Sequence, residues 1–229
     1  MTEVPTPEEV RRNIELVATY DAIPVAHQRF LSHLAAFGGF RPRVVYDIGA
    51  CVLHWTRAAQ KVWPDAEYVL FDAFEPAAFL YGGYKHHVGV LSDRDEREVQ
   101  FYQNDLNLGG NSYYREVGHA DAARMYPKDR FLVKKARTLD SVVEERGFPP
   151  ADLIKIDVQG AELDILRGAA RALASARVLI VEMQCVNYND GAPMVDVTLP
   201  FIESLGWRCV ARKFSDNGPD ADYAFVRAI

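Results

Sequence analysis

Two stretches of this sequence share one design: a short apolar run, an acid at its carboxyl end, a glycine turn and a helix start. The first is RVVYDIGACVLHWT, Arg43 to Thr56, in which Asp47 ends the run and Gly49 and Ala50 make the turn. Cys51 follows the turn, and His54, Trp55 and Thr56 open the helix. The second is LIKIDVQGAELDILRGA, Leu153 to Ala169, where Asp157 takes the place of Asp47 and Glu162 begins the helix. In open α/β sheets, ligands collect outside the carboxyl ends of the strands, where a turn runs into a helix N-terminus. Small residues at such a turn admit a ligand close to the backbone. The chemistry within reach is therefore the holding of a nucleotide-like ligand, against the plainer reading of two ordinary strand-turn-helix connections. Asp72, which ends the run EYVLF, adds an acid able to accept hydrogen bonds from ribose hydroxyls. Glu75 competes for that role, and both also read as solvated loop acids. Lys155 lies inside an apolar strand, where an ammonium is costly unless it finds a partner or solvent. It reads equally as a structural ion pair and as an active-site residue.

These residues require a sheet to hold them. Val44 to Tyr46, Glu67 to Phe71, Tyr84 to Leu91, Leu153 to Ile156 and Arg177 to Glu182 are β-rich runs, and helical stretches at 54–62, 138–145, 162–171 and 193–205 alternate with most of them. A strand-helix-strand unit implies a parallel pair with a right-handed crossover. Val99 to Tyr102 and Arg130 to Ala136 add short strands, and Arg208 to Phe214 and Tyr223 to Arg227 form a closing antiparallel pair. Residues 104–115, NDLNLGGNSYYR, lack an apolar period and form a loop with the amides and aromatics of a substrate-binding segment, or an ordinary surface loop. Ahead of the sheet, Thr6-Pro7-Glu8-Glu9 is a helix start with Thr6 as N-cap and Glu9 three residues on. A second helix runs from Val25 to Phe37, with Phe30, Leu31, Leu34 and Phe37 on one face and Gly38-Gly39 as its stop. Residues 1–40 read as a helical lead-in packed on the main domain, and 41–229 as that domain.

Composition narrows the function. Apolar residues make up 49% of the 229 and charged residues 25%, and the formal net charge is −6. That places the chain among soluble globular proteins and supplies no basic footprint for nucleic acid or an anionic membrane. No apolar run reaches the roughly 18 residues of a membrane-spanning helix, and the acidic N-terminus has no secretory pattern. Cys51, Cys185 and Cys209 are odd in number and lack C-x-x-C spacing, which fits reduced thiols in a cytoplasmic protein.

LIKIDVQGAELDILRGA resembles the signature of the FkbM-type O-methyltransferases, a branch of the S-adenosylmethionine-dependent methyltransferases. VVYDIGACVLHWT is similar to the first cofactor motif of that family, and Phe74-Glu75-Pro76 to its second-strand motif. The resemblance runs from about Val44 to Glu182. It implies an α/β fold with a Rossmann-like, seven-stranded, mostly parallel sheet, helices on both faces and an antiparallel last strand, the class I methyltransferase architecture. It also implies S-adenosylmethionine as donor and a hydroxyl oxygen of a small molecule or sugar as acceptor. By position, Asp47, Gly49, Ala50 and Cys51 fall in the cofactor loop with His54 and Trp55 beside them. Asp72 or Glu75 falls at the ribose, and Ser92-Asp93 where the adenine is held. The family pattern has Asn at Cys51 and a second glycine at Leu53. Cys cannot supply the amide hydrogen bonds of Asn, and Leu adds bulk beside the backbone.

A neutral hydroxyl is a poor nucleophile, so methyl transfer to it calls for a base or a metal; a positioned base contributes about 100- to 10,000-fold. Asp157, at the end of a central strand, is the first candidate, with helix N-cap as its plainer role. Glu162, Glu182 and Lys155 complete the catalytic set; no metal ligands are assigned. An NAD enzyme is disfavoured because G-x-G-x-x-G is absent. A non-catalytic or altered cofactor-binding Rossmann-like protein stays open through Cys51 and Leu53. Expected partners are a small-molecule or glycan acceptor, with no nucleic acid and no membrane; a homodimer stays open.

Overall fold

The central strands are largely apolar and buried on both faces, as strands covered by helices on each side must be. In a computed structural model of the protein, described for residues 5–20, 23–36 and 38–227, ten strands form two sheets. They are β1 (Val44–Ile48), β2 (Glu67–Asp72), β3 (Lys85–Val88), β4 (Val90–Leu91), β5 (Glu98–Phe101), β6 (Leu132–Arg137), β7 (Leu153–Ile156), β8 (Val178–Gln184), β9 (Trp207–Asp216) and β10 (Asp220–Arg227). Every residue of β1, β7 and β8 is buried. The main sheet has the order β3-β2-β1-β7-β8-β10-β9. Its strands from β3 to β8 run parallel, and β10 is antiparallel to both its neighbours.

The eight α-helices are α1 (Pro7–Ala18), α2 (Val25–Ala36), α3 (His54–Val62), α4 (Ala122–Met125), α5 (Leu139–Arg146), α6 (Glu162–Arg167), α7 (Ala170–Ser175) and α8 (Val195–Ser204). Alternation of side chains along each strand sends the two faces to different helix layers. Tyr46, Ile48, Ile154, Ile156, Leu179 and Val181 pack against α5 to α8. Val45, Leu70, Leu153 and Ile180 pack with Val10 and Ile14 of α1, Leu31 of α2 and Ala59 of α3. The first two helices thus cover the sheet with apolar stripes. The Thr6 cap forms in full: its hydroxyl accepts from the Glu9 amide while the Glu9 carboxylate accepts from Thr6. Phe37, expected on the α2 stripe, lies outside the described residues. No helix among the described residues is long and apolar enough to cross a membrane.

Two expected elements divide at glycines. The run from Tyr84 to Leu91 splits at Gly89 into β3, which stays in the main sheet, and β4, which pairs with β6 in a small sheet ordered β4-β6-β5. The helix expected over 162–171 ends at Arg167. A Cβ on Gly168 would sit 2.3 Å from the Ser92 carbonyl, and the Gly168 carbonyl accepts the Asp140 amide, which caps α5 onto the break.

Candidate active site

The turn after β1 is a string of left-handed residues: Gly49 at φ +85°, Cys51 at +44° and Leu53 at +70°. Gly49 has no alternative, because a Cβ there would stand 1.8 Å from the Asp157 carbonyl oxygen. The Gly49 and Ala50 amides donate to the Phe71 carbonyl, and the Cys51 amide donates to Asp72 Oδ2 at 2.7 Å. The other Asp72 oxygen accepts the Phe74 amide at 2.7 Å. The turn after β7 is built likewise. Gly160 at φ +100° leaves no room for a side chain beside Ala192, and the Glu162 carboxylate accepts the Val158 and Gly160 amides at 3.1 Å.

Between these turns lies a cavity of about 310 Å³. Gly49, Cys51, Asp72, Asp157 and Gln159 form its polar floor, and Phe71, Phe74, Val90, Leu91, Phe101 and Ile165 its apolar wall. Leu108, Asn111 and Tyr113 of the 104–115 loop roof it. Asn111 Nδ2 is buried without a hydrogen-bond partner among the described residues, a donor left for something in the cavity. The size, the flat apolar wall, the acid and the spare donor fit an adenosyl group.

A charged row runs under the cavity. In the β1–β7 ladder Asp47 is paired with Lys155, so both side chains rise on the same face. Lys155 Nζ lies 3.3 Å from Asp47 Oδ1 and 3.1 Å from Asp157 Oδ2, donates to the Gly49 carbonyl at 3.4 Å and stands 5.8 Å from the centre of the Trp55 ring. Thr56 holds the other Asp47 oxygen. Burial opposes the charge on Lys155, but Asp157 and Asp47 outweigh it and raise its pKa. Burial likewise pushes the Asp157 carboxyl up, and the Lys155 charge and a hydrogen bond with Glu182 carry it below the usual range. Glu182 is held well above that range by burial and by the charges of Asp157 and Asp220. The surroundings thus favour the charge on Asp157 and oppose it on Glu182.

Asp157 and Glu182 also border a second, smaller cavity of about 200 Å³ on the α2–α3 side, with His27, His54, Trp55, Lys155 and Asp222. Trp55 Nε1 donates to His27 Nδ1 at 3.2 Å, which places the His27 proton on Nε2, 2.8 Å from Asp222 Oδ2. His54 Nε2 meets the Val17 carbonyl at 2.8 Å. The lead-in helices thus contribute wall to the site.

Several expected residues stand elsewhere. Glu75 faces a groove with Pro7, Arg11 and Lys134, away from the main cavity, so of the two acids it is Asp72 that borders it. Ser92 and Asp93 turn from the cavity into a network with Arg97, which also binds Asp164; Gly89, Val90 and Leu91 form the wall there. Strand alternation and the demand of Arg97 decide that direction. Glu162 lines none of these cavities because both turn amides claim its carboxylate. Ala50, His54 and Trp55 border the second cavity, whereas Gly49 and Cys51 border both. His27, Asn111, Gln159, Asn217 and Asp222 were not singled out as site residues in the sequence. Gln159 lay within the second signature; His27 and Asp222 are lone residues far apart in the chain and carry no local pattern.

Residues 47–209 match the methyltransferase FkbM domain. The AMB antimetabolite synthetase AmbE of Pseudomonas aeruginosa is 30% identical over 184 residues, covering 65% of this chain; the chain spans 9% of that relative's length. Among solved structures, the O-methyltransferase TomG of Streptomyces achromogenes superposes with a TM-score of 0.51 at 13% identity, covering 100% of this chain and 92% of that one. A putative O-methyltransferase of Klebsiella pneumoniae gives 0.49 at 15% identity, covering 100% and 91%. At 13% identity the TomG likeness shows a shared fold. With the domain match spanning most of the sequence, the chain belongs to the FkbM methyltransferase family.

Proposed function

We propose that the protein transfers the methyl group of S-adenosylmethionine to a hydroxyl oxygen of a small molecule or sugar. The observation that carries this reading is the Asp157 carboxylate, 3.1 Å from Lys155 Nζ and bordering both the adenosyl-sized cavity and the second cavity. S-adenosylmethionine supplies a methyl already activated on a sulfonium. Asp72 accepts the ribose hydroxyls, Asn111 donates to the purine or ribose edge, and Val90, Leu91, Phe101 and Ile165 flank the base. Gly49 and Cys51 lie along the methionine end, with Ala50, His54 and Trp55 behind them. Asp157 accepts the proton of the incoming hydroxyl at a carboxylate oxygen, and Lys155 keeps that oxygen ionised until then. Glu182 is the positioning residue, with its own oxygens bound by Gln159 and Asn217. Orientation of donor and acceptor is worth roughly 7–11 kcal/mol of the barrier.

Calorimetry with S-adenosylhomocysteine and NAD, followed by turnover of labelled methyl donor, tests this. Binding of the first ligand alone is expected. Asp157→Asn is expected to cut kcat by about 100- to 10,000-fold with S-adenosylhomocysteine affinity retained. Near-normal turnover in that variant would overturn the assignment of the base. Cofactor binding without transfer to any acceptor would instead favour a non-catalytic binding protein.

A further inference from the structure

A third concavity, an open groove of about 460 Å³, adjoins the site on the side away from the adenosyl wall. Gln159 and Gly109 belong both to it and to the main cavity, and Asn217 both to it and to the second. The Gln159–Glu182–Asn217 bridge lies where the groove meets the two cavities that Asp157 borders.

The charge of this groove is one-sided. Glu116 and Asp220 line it and are both buried, and neither Lys nor Arg is among the lining residues described. The nearby Arg115 is turned to Asp190, at 3.9 Å, and to the Tyr126 carbonyl. Glu116 Oε1 accepts from the Tyr188 hydroxyl at 3.2 Å. Asp220 is 8% exposed, and its Oδ1 has no hydrogen-bond partner among the described residues. A buried carboxylate oxygen without a donor costs folding free energy, and it persists where a ligand supplies the donor. Two buried acids, with His119 beside Glu116 and neither Lys nor Arg among the described lining residues, favour a cation over phosphate or carboxylate. Burial raises the pKa of both groups and outweighs the opposing effects of Tyr188 and His119 at Glu116 and of Asn217 and Glu182 at Asp220. The rest of the wall, Asn107, Tyr188, Met125 and His119, suits a small polar body and has no aromatic cage for a bulky quaternary head.

We infer that this groove is the acceptor subsite and that it binds a primary ammonium through Asp220 and Glu116, so that the acceptor is an amine-bearing hydroxyl compound such as an amino alcohol or amino sugar. The inference rests on the methyl-transfer reading above. The test uses the whole protein with labelled S-adenosylmethionine and a pooled acceptor panel. The panel combines amino alcohols, amino sugars, their hydroxyl-for-amine analogues and a bacterial small-molecule extract, each before and after capping of amines with N-hydroxysuccinimidyl acetate. Label is expected to enter the untreated amine-bearing pool and to fall at least 10-fold on capping. For the acceptor so found, Asp220→Asn and Glu116→Gln are expected to raise KM about 10- to 100-fold, the range of a lost charge-assisted hydrogen bond, with S-adenosylhomocysteine affinity unchanged. That unchanged affinity also shows that the variants fold. Transfer insensitive to capping, or variants with unaltered KM, would overturn the ammonium subsite and leave methyl transfer standing. Cofactor binding with no transfer to any pool would overturn both.

Discussion

Replacing Lys155 by Met is the sharpest perturbation of the charged row. Methionine preserves the length of the apolar stem and removes the ammonium. Lys155 is 3% exposed, and it is the cation beside Asp47, which is fully buried, and beside Asp157. Removing one partner of a buried pair strands the other and costs about 3–5 kcal/mol. In a protein of this length each kcal/mol moves Tm by about 2–4 °C, so the expected drop is roughly 6–20 °C. Urea titration should show a lower midpoint at unchanged slope. The cause is isolated by a second change: Asp47→Asn keeps an oxygen for the Thr56 hydroxyl and removes the stranded charge. The double variant should therefore be more stable than the sum of the two single effects, by about 0.5–3 kcal/mol. The same substitution frees Asp157 from the charge that keeps it ionised, so the acid limb of the pH–rate profile should move to higher pH. A cost under about 1 kcal/mol, or strict additivity in the cycle, would refute the view that Lys155 neutralises this row.

The two ribose candidates separate cleanly. Asp72→Asn should weaken S-adenosylhomocysteine binding by roughly 10- to 150-fold in calorimetry and Glu75→Gln should leave it unchanged; the reverse order would reassign the ribose acid. Glu162 is buried and its pKa rises from 4.5 to about 7, chiefly through burial. A raised carboxyl contributes stability that is fully present below its unfolded pKa and lost as pH climbs through the folded one. Wild type should thus lose about 3 kcal/mol relative to Glu162→Gln between roughly pH 4.5 and 7, and a flat difference in urea midpoints across that window would contradict it. Gly49→Ala places a Cβ against the Asp157 carbonyl at a left-handed φ. The backbone term alone is about 1–2 kcal/mol, so a clear fall in Tm together with lost cofactor binding is expected, and normal values of both would mean the turn relocates freely.

The sheet was legible because its core strands are largely apolar runs, and the acid-turn-helix repeats marked their carboxyl ends. The turn after β1 could be read from its glycine, although the steric demand that Gly49 answers comes from the Asp157 carbonyl, far along the chain. Directions of side chains were not legible. Ser92 and Asp93 stand at the expected end of the third strand run, yet Arg97, a few residues on, draws both away from the cavity. The split at Gly89 depends on β6, which lies more than 40 residues downstream and claims β4. His27 meets Asp222 only once α2 has folded over the sheet, so the buried pair that ties the lead-in to β10 has no sequence signature. The groove at Glu116 and Asp220 is assembled from four separate segments of the chain in the same way.

The departures at Cys51 and Leu53 acquire a physical meaning from the same geometry. Both positions are left-handed, where a glycine or an asparagine sits most easily. Leu53 accepts a cost of about 1–2 kcal/mol there. Its side chain is 3% exposed in the core shared with α1, α2 and α3, and burying a leucine returns about 1.5–3 kcal/mol. The exchange is close to neutral for stability, and it has a geometric effect: the turn becomes anchored to the helical layer that the lead-in supplies. Cys51 acts on the other side of the same turn. Its amide, which the identity of the side chain does not alter, makes the contact to Asp72, while its thiol reaches toward the Leu108 carbonyl at 3.7 Å and burial raises its pKa to about 12. The thiol is therefore a neutral wall between turn and roof. The loop keeps the amide contact from Cys51 to Asp72 and exchanges side-chain hydrogen bonding for packing, so Cys51 and Leu53 change how the turn is held in place.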